Sequence, residues 1–171
     1  MKEYRPINVE DLPLNAWKAI NDNWFIVCAG GKKHHNFMTC SWGAFGTHWD
    51  KPTVTLMLRP QRYTRGFVEK RGKFSINIMP DTPEMKEIME YAGTVSGRDE
   101  DKAEKTGLSY NRVDKVPSLD QARYVLNCEV IYRSQIEKGN FMDDDLCKEH
   151  YPDKDYHYIY IGEIKQAYEL V

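Results

Sequence analysis

Several short stretches of the chain alternate polar and apolar side chains with a period of two, the spacing of a half-buried strand. Lys73–Ile78 (KFSINI) alternates throughout. Thr53–Leu58 (TVTLML) alternates threonine with apolar residues and then runs apolar, with Pro52 at a strand start. Trp24–Ala29 (WFIVCA) is continuously apolar and ends at Gly30-Gly31, which reads as a strand and a turn. Asn36–Phe45 (NFMTCSWGAF) reads as a further strand. Arg123–Arg133 (RYVLNCEVIYR) and His157–Ala167 (HYIYIGEIKQA) are long strand candidates, rich in β-branched and aromatic residues.

Helical signals are fewer. Pro60 breaks the strand before it, and Thr64 reads as the cap of a short helix through Lys70. Asp81-Thr82-Pro83-Glu84 is a helix start, with a capping residue, a proline in the first turn and an acid for the macrodipole. That helix should run to about Tyr91, and Arg98–Lys105 should form another short one. The helices are too few and irregular for βαβ units, so the pattern predicts a mainly β antiparallel barrel or sandwich with inserted helices. Glu137–Asp155 is acidic and lacks periodicity. It is too long for a hairpin turn and reads as a solvated excursion, with a functional lid as the alternative.

The length, 171 residues, suits one domain with a core, preceded by an N-terminal arm over residues 1–20. Net charge is −2 and the pI about 6.2, which argues against a surface built for nucleic acid or anionic lipid but leaves room for a local basic pocket. No apolar run approaches the length of a membrane span, and Met1–Glu10 lacks a signal-peptide core. Cys28, Cys40, Cys128 and Cys147 show no C-x-x-C spacing and read as reduced thiols of a cytoplasmic protein. Cys147, His150 and His157 lack a second spaced pair, so no metal site is expected.

Neither a G-x-G-x-x-G nor a P-loop is present. The chemistry-bearing signals come instead as an ordered series: Asn36-Phe37-Met38-Thr39-Cys40-Ser41-Trp42 on a strand, then Arg62-Tyr63-Thr64 opening a helix. Phe74-Ser75-Ile76-Asn77 follows, then Gly93–Asp99 with Asp101-Lys102, and last His157 leading into Ile161-Gly162-Glu163-Ile164. Taken singly, each has a structural explanation: Thr64 a cap, Arg62 a solvated cation, Trp42 core, Asn77 a strand-end polar group.

Together the series resembles the flavin reductase-like domain family, which includes flavoredoxins and FMN-binding flavin reductases. The family pattern N-x-M-T-x-S-W, R-Y-T, F-x-x-N, T-x-S-G-R-D-x-D-K and H-x-x-x-x-G-E-V recurs in order from about Trp24 to Ile164, with Ile164 replacing the final valine. The resemblance implies an FMN-binding split β-barrel of antiparallel Greek-key type. It implies FMN contacts from Asn36, Met38, Thr39, Cys40, Ser41, Trp42, Arg62, Thr64 and Asn77. Arg62 and Thr64 suit the phosphate, the Met38–Ser41 backbone suits a pyrimidine edge, and Trp42 with Met38 suits a flat ring. His157 is the candidate catalytic group beside the flavin. Arg98, Asp99 and Lys102 read as a charged helix face that the resemblance brings near the flavin.

The activity so implied is NAD(P)H-dependent flavin reduction, with electrons passed to flavin, a metal or a redox partner protein. A flavoredoxin-type carrier without direct NAD(P)H use, and a non-catalytic flavin-binding module, are the alternatives. The resemblance and the 12% aromatic content both suit a homodimer.

Overall fold

The computed structural model describes residues 2–171. Strands β1 (Tyr4–Ile7), β2 (Phe25–Gly30), β3 (His35–Cys40), β4 (Gly43–His48) and β5 (Lys51–Leu58) lead into helix α1 (Tyr63–Arg71). Strand β6 (Lys73–Ile78), helices α2 (Pro83–Thr94) and α3 (Lys102–Thr106), and the small hairpin β7 (Tyr110–Val113) and β8 (Val116–Leu119) follow. Strand β9 (Tyr124–Gln135), helix α4 (Asp144–His150) and strand β10 (Tyr158–Leu170) complete the chain.

The main sheet has the order β3-β2-β6-β9-β10-β5-β4, and all its pairs are antiparallel. Its longest strand, β10, is the hub. β9 lies along one of its edges, and β5 and then β1 lie in succession along the other. The N-terminal arm is thus part of the sheet, with Tyr4 opposite Leu170 and its hydroxyl donating to the carbonyls of Leu119 and Ala122.

The continuous apolar run of β2 has a direct cause, because both faces of that strand are covered. Phe25, Val27 and Ala29 join the core inside the curled sheet with Leu56, Phe74, Leu126 and Tyr160. Ile26 and Cys28 face outward into a second core with Phe37, Met89, Leu119 and Val125. Strands buried on both faces lose the period of two. At Gly162, where the β9–β10 register shifts, an added Cβ would lie 2.6 Å from the ring of Phe74, so the glycine of the closing motif serves packing.

The stretch expected as one strand over Asn36–Phe45 is two. β3 stops at Cys40 and β4 begins at Gly43, where a Cβ would meet the Thr55 carbonyl at 2.3 Å. Ser41 and Trp42 cross between the two ends of the sheet. The first helix also starts differently from expectation. Its cap position is Arg62, without a side-chain capping bond, and Thr64 lies inside the first turn with its hydroxyl engaged elsewhere. Thr82 caps α2 as expected of a threonine before proline, accepting from the Met85 amide at 3.2 Å.

The Glu137–Asp155 excursion is anchored, with Cys147 and Tyr151 buried against the body. Its acids other than Asp155 nevertheless face solvent, and Asp143 caps α4 by accepting from the amides of Asp145 and Leu146.

Candidate functional site

The edge strand β3 pairs only with β2 among the described residues. Its other edge, with backbone amides and carbonyls of a type that commonly recruit a partner, borders two adjoining chambers. The inner chamber, about 240 Å³, is lined by Met38, Thr39, Cys40, Ser41, Trp42, Met57, Arg59, Arg62 and His157. The outer one, about 140 Å³, is lined from three segments: Asn36 and Met38 on β3, Gln61–Thr64 at the start of α1, and Thr94–Arg98 with Lys102 between α2 and α3. Met38 and Arg62 line both. A larger concavity of about 600 Å³ lies between residues 6–13 and Gln166–Glu169, but it lacks converging cations.

The outer chamber is organised by hydrogen bonds between elements distant in sequence. The Asn36 amide donates to Thr64 Oγ1 at 2.9 Å, tying β3 to α1. Arg62 donates to the Gly93 carbonyl at 2.8 Å, and Arg98 donates to the Gln61 carbonyl at 2.9 Å while stacking over Tyr63. Lys102, buried, donates to the Ala92 carbonyl at 3.1 Å. Gly97 approaches so closely that a Cβ there would lie 2.1 Å from Asn36 Oδ1, so any side chain at this position would push the buried Asn36 amide aside. Among the described residues, Arg62, Arg98 and Lys102 form no ion pair with any carboxylate. Three cations therefore converge on one chamber without a protein anion.

The inner chamber has aromatic and sulfur walls. The Trp42 and His157 rings lie 5.1 Å apart, tilted by 38°, and His150 meets Trp42 edge-on at 5.2 Å. His157 Nδ1 is 2.8 Å from the Tyr151 hydroxyl. Burial, with the Arg59 and Arg62 charges adding, holds the His157 pKa down at about 4, so the ring is neutral at physiological pH. Burial pushes the Cys40 thiol up to about 12, so Cys40 stays protonated and lines the wall without being a nucleophile. A third, apolar groove of about 490 Å³, lined by Trp17, Ile20 and Phe45 among others, shares Trp42 and Met57 with this chamber.

Of the residues singled out from the sequence, Asn36, Met38, Thr39, Cys40, Ser41, Trp42, Arg62, Thr64 and His157 line these chambers. Thr39 turns its hydroxyl away, donating to the Met89 carbonyl at 2.6 Å. Asn77 is a correction: it lines neither chamber. It is fully buried, donating to Ser75 Oγ at 2.9 Å and accepting from the Leu119 amide at 2.9 Å, so it fastens β6 to the β8 end. Facing the second core, it had to find its partners inside the protein.

Sequence reasoning missed Arg59, Gln61, Met57 and Tyr151. Arg59 donates to Asp155 and to the His150 carbonyl, and Gln61 donates to the other Asp155 oxygen. These contacts bridge more than ninety positions, and no local pattern announces them.

The flavin reductase like domain model matches residues 18–170, and the chain belongs to that family. Solved structures share its split-barrel fold. An FMN-binding domain of a flavin reductases-like enzyme from Shewanella baltica OS155 is 17% identical, with TM-score 0.65, over 98% of this chain and 78% of that one. An FMN-binding protein from Thermus thermophilus, solved with p-hydroxybenzaldehyde, is 22% identical, with TM-score 0.66, over 99% and 82%. Flavoredoxin of Desulfovibrio vulgaris (Miyazaki F) is 21% identical, with TM-score 0.65, over 96% and 77%. An uncharacterized protein of Archaeoglobus fulgidus is 27% identical over 118 residues, which span 68% of this chain and 63% of that relative's length. No helix is long and apolar enough to cross a membrane among the described residues.

Proposed function

We propose that the chain binds FMN across the two chambers and acts as a flavin reductase-like oxidoreductase, taking electrons from NAD(P)H and passing them to flavin, a metal or a protein acceptor. The observation that carries this reading is the convergence of Arg62, Arg98 and Lys102 on a chamber with no ion-paired acid, next to one with aromatic and open-backbone walls. A phosphate supplies the missing anion, and the arginine forks match its geometry. A flat heteroaromatic ring suits the unpaired edge of β3 and the Trp42 and Met38 walls. The chambers together fall in the range of a small-molecule site, roughly 300–1,000 Å³.

FMN bound there supplies the hydride and electron chemistry that the polypeptide lacks. The protein's part is to bind, orient and shield. Arg62, Arg98 and the Thr64 first turn hold the phosphate end. The Met38–Ser41 backbone orients the ring edge, and neutral His157, braced by Tyr151, lines the inner chamber without adding charge.

A second reading, a flavoredoxin-type electron carrier, is favoured by one feature. The excursion lies over the site through His150 and Asp155, and its exposed acids repel the phosphates of NAD(P)H while suiting a basic redox partner. The chain is further proposed to work as a cytoplasmic homodimer. The apolar groove beside Trp42, with Trp17 84% exposed at its rim, suits burial against a second copy.

Equilibrium binding of FMN, FAD and riboflavin to purified protein tests the site, and anaerobic bleaching by NADH or NADPH tests the reaction. FMN binding with bleaching, slowed by the acids of the excursion and sensitive to salt, is the expected result. Binding without bleaching selects the carrier, and uptake of no flavin rejects both. Sedimentation at micromolar concentration reads the dimer.

A further inference from the structure

Tyr151 belongs to the excursion and is buried, yet its hydroxyl ends at a residue of the inner chamber. It lies 2.8 Å from His157 Nδ1 and has no other hydrogen-bond partner among the described residues. Its ring is held from several sides. Phe141 and Tyr156 pack against it with ring centres at 5.9 and 5.1 Å, and the Arg59 guanidinium lies over it at 5.2 Å. Its amide donates to the Cys147 carbonyl at 3.0 Å. The phenol is thus fixed in place by packing, and the imidazole nitrogen it meets has a fixed neighbour.

Two arrangements of hydrogen are open to this pair. With hydrogen on His157 Nδ1, the phenol would accept it, and its own hydrogen would be left without an acceptor in the protein. With the phenol donating, both atoms of the contact are satisfied, and buried polar groups settle in the satisfied arrangement. The phenol has a hydrogen to give at neutral pH, because burial raises its pKa, with the Arg59 charge and the His157 backbone amide offsetting part of the rise. A cation over the ring also makes its hydroxyl the better donor.

The imidazole is itself buried and lines the same chamber as Arg59 and Arg62, surroundings that disfavour a second hydrogen on the ring. Its one hydrogen is then left on Nε2, since the bond made at one ring nitrogen decides what the other carries. Nε2 has no partner among the described residues, yet it is not a buried orphan as Ser118 Oγ and Asn127 Oδ1 are, so solvent reaches it. The cavity that His157 lines is the inner chamber.

We infer that Tyr151 is a positioning residue: by donating to Nδ1 it places the imidazole hydrogen on Nε2 and makes His157 a hydrogen-bond donor to an acceptor atom of the flavin ring. His157 then serves as a donor and not as a base. The inference rests on the FMN reading above and deepens it. Because Tyr151 directly follows α4, the excursion reaches the site through this phenol as well as through Asp155.

The test has one arm without ligand and one with it. Apoprotein isotope-labelled at its histidine nitrogens reports the tautomer at pH 7 by long-range proton–nitrogen NMR, with His157 assigned by its loss in His157→Gln. Wild type should carry hydrogen on Nε2 alone. Tyr151→Phe, which keeps the ring packing, should let the form with hydrogen on Nδ1 appear. FMN and riboflavin carry the same ring, so Tyr151→Phe should weaken both by a similar factor, about three- to tenfold, read by flavin fluorescence. A glutamine at 157 keeps a donor whatever its neighbour does. In the His157→Gln background, Tyr151→Phe should therefore leave both affinities within about twofold. Equal weakening in both backgrounds makes Tyr151 only an anchor of the excursion and overturns the inference. So does Tyr151→Phe that binds both flavins as wild type does, and so does a wild-type ring with hydrogen on Nδ1 or on both nitrogens. Wild-type protein that takes up neither flavin defeats the FMN reading itself, and the apoprotein spectra then decide alone where Tyr151 places the hydrogen.

Discussion

The Arg59 guanidinium, just past the end of β5, donates to Asp155 at 2.6 Å across a separation of 96 residues. The same carboxylate accepts from Gln61 at 2.8 Å, and Arg59 reaches the His150 carbonyl at 3.0 Å. One acid thus fastens the excursion to both chambers, since Arg59 lines the inner and Gln61 the outer. The Gln61 and Arg59 bonds hold the Asp155 carboxyl below the usual carboxylate range. The fastening is therefore present at neutral pH and is lost only as pH falls through that lowered value.

Asp155→Asn should loosen the excursion by about 1–2 kcal/mol, a five- to thirtyfold rise in its opening. Hydrogen exchange over residues 141–155 should quicken accordingly. If the excursion gates the flavin face, bleaching by NAD(P)H should accelerate too, and neutralising exposed Asp144 and Asp145 should add to the effect in low salt. Unchanged bleaching with faster exchange would mean that the excursion covers no path to the flavin.

Arg62→Ala removes a cation shared by both chambers, and FMN affinity should fall by one to two decades, about 1.5–3 kcal/mol. Riboflavin, which lacks the phosphate, should lose little. Because Arg62 also donates to the Gly93 carbonyl, an equal loss for both flavins would assign it to holding the α2 end.

His157 should titrate near pH 4 in the folded protein. Between its ordinary value, about 6.5, and that point, the unfolded chain binds the extra proton. Stability should therefore decline as pH drops from about 6.5 to 4, and the decline should be shallower in His157→Gln. Imidazole carbon-proton shifts followed by NMR give the midpoint, and a midpoint above 6 would remove the neutral-ring argument.

Asn77→Ala should cost roughly 1–3 kcal/mol, because the buried Leu119 amide and Ser75 hydroxyl lose a partner. Denaturant unfolding should report that loss while the FMN affinity of the folded variant stays within about twofold. A selective loss of FMN affinity would return Asn77 to the cofactor site.

The sequence by itself determined the strands whose pattern is local. Lys73–Ile78 alternates because one strand separates two differently filled spaces, and β10 is legible from its β-branched and aromatic content. It also held most of the residues that line the two chambers, since Asn36, Met38–Trp42, Arg62, Thr64 and His157 appear as an ordered series, although Phe37 among them turns into the second core. Tertiary structure alone decided what each of them faces. Thr64 looks like a cap from its neighbours and is instead the acceptor for Asn36, 28 residues away. Asn77 looks like site lining and is the anchor of β8. Lys102 looks like part of a charged helix face, and only the packing of α3 against α2 and β3 makes it a buried cation. The excursion reads as solvated because most of its residues are polar, and its attachment depends on Asp155 meeting Arg59, far away in the chain. Period and propensity are properties of neighbours in sequence, whereas burial, charge pairing and the direction of a hydrogen bond are set by neighbours in space.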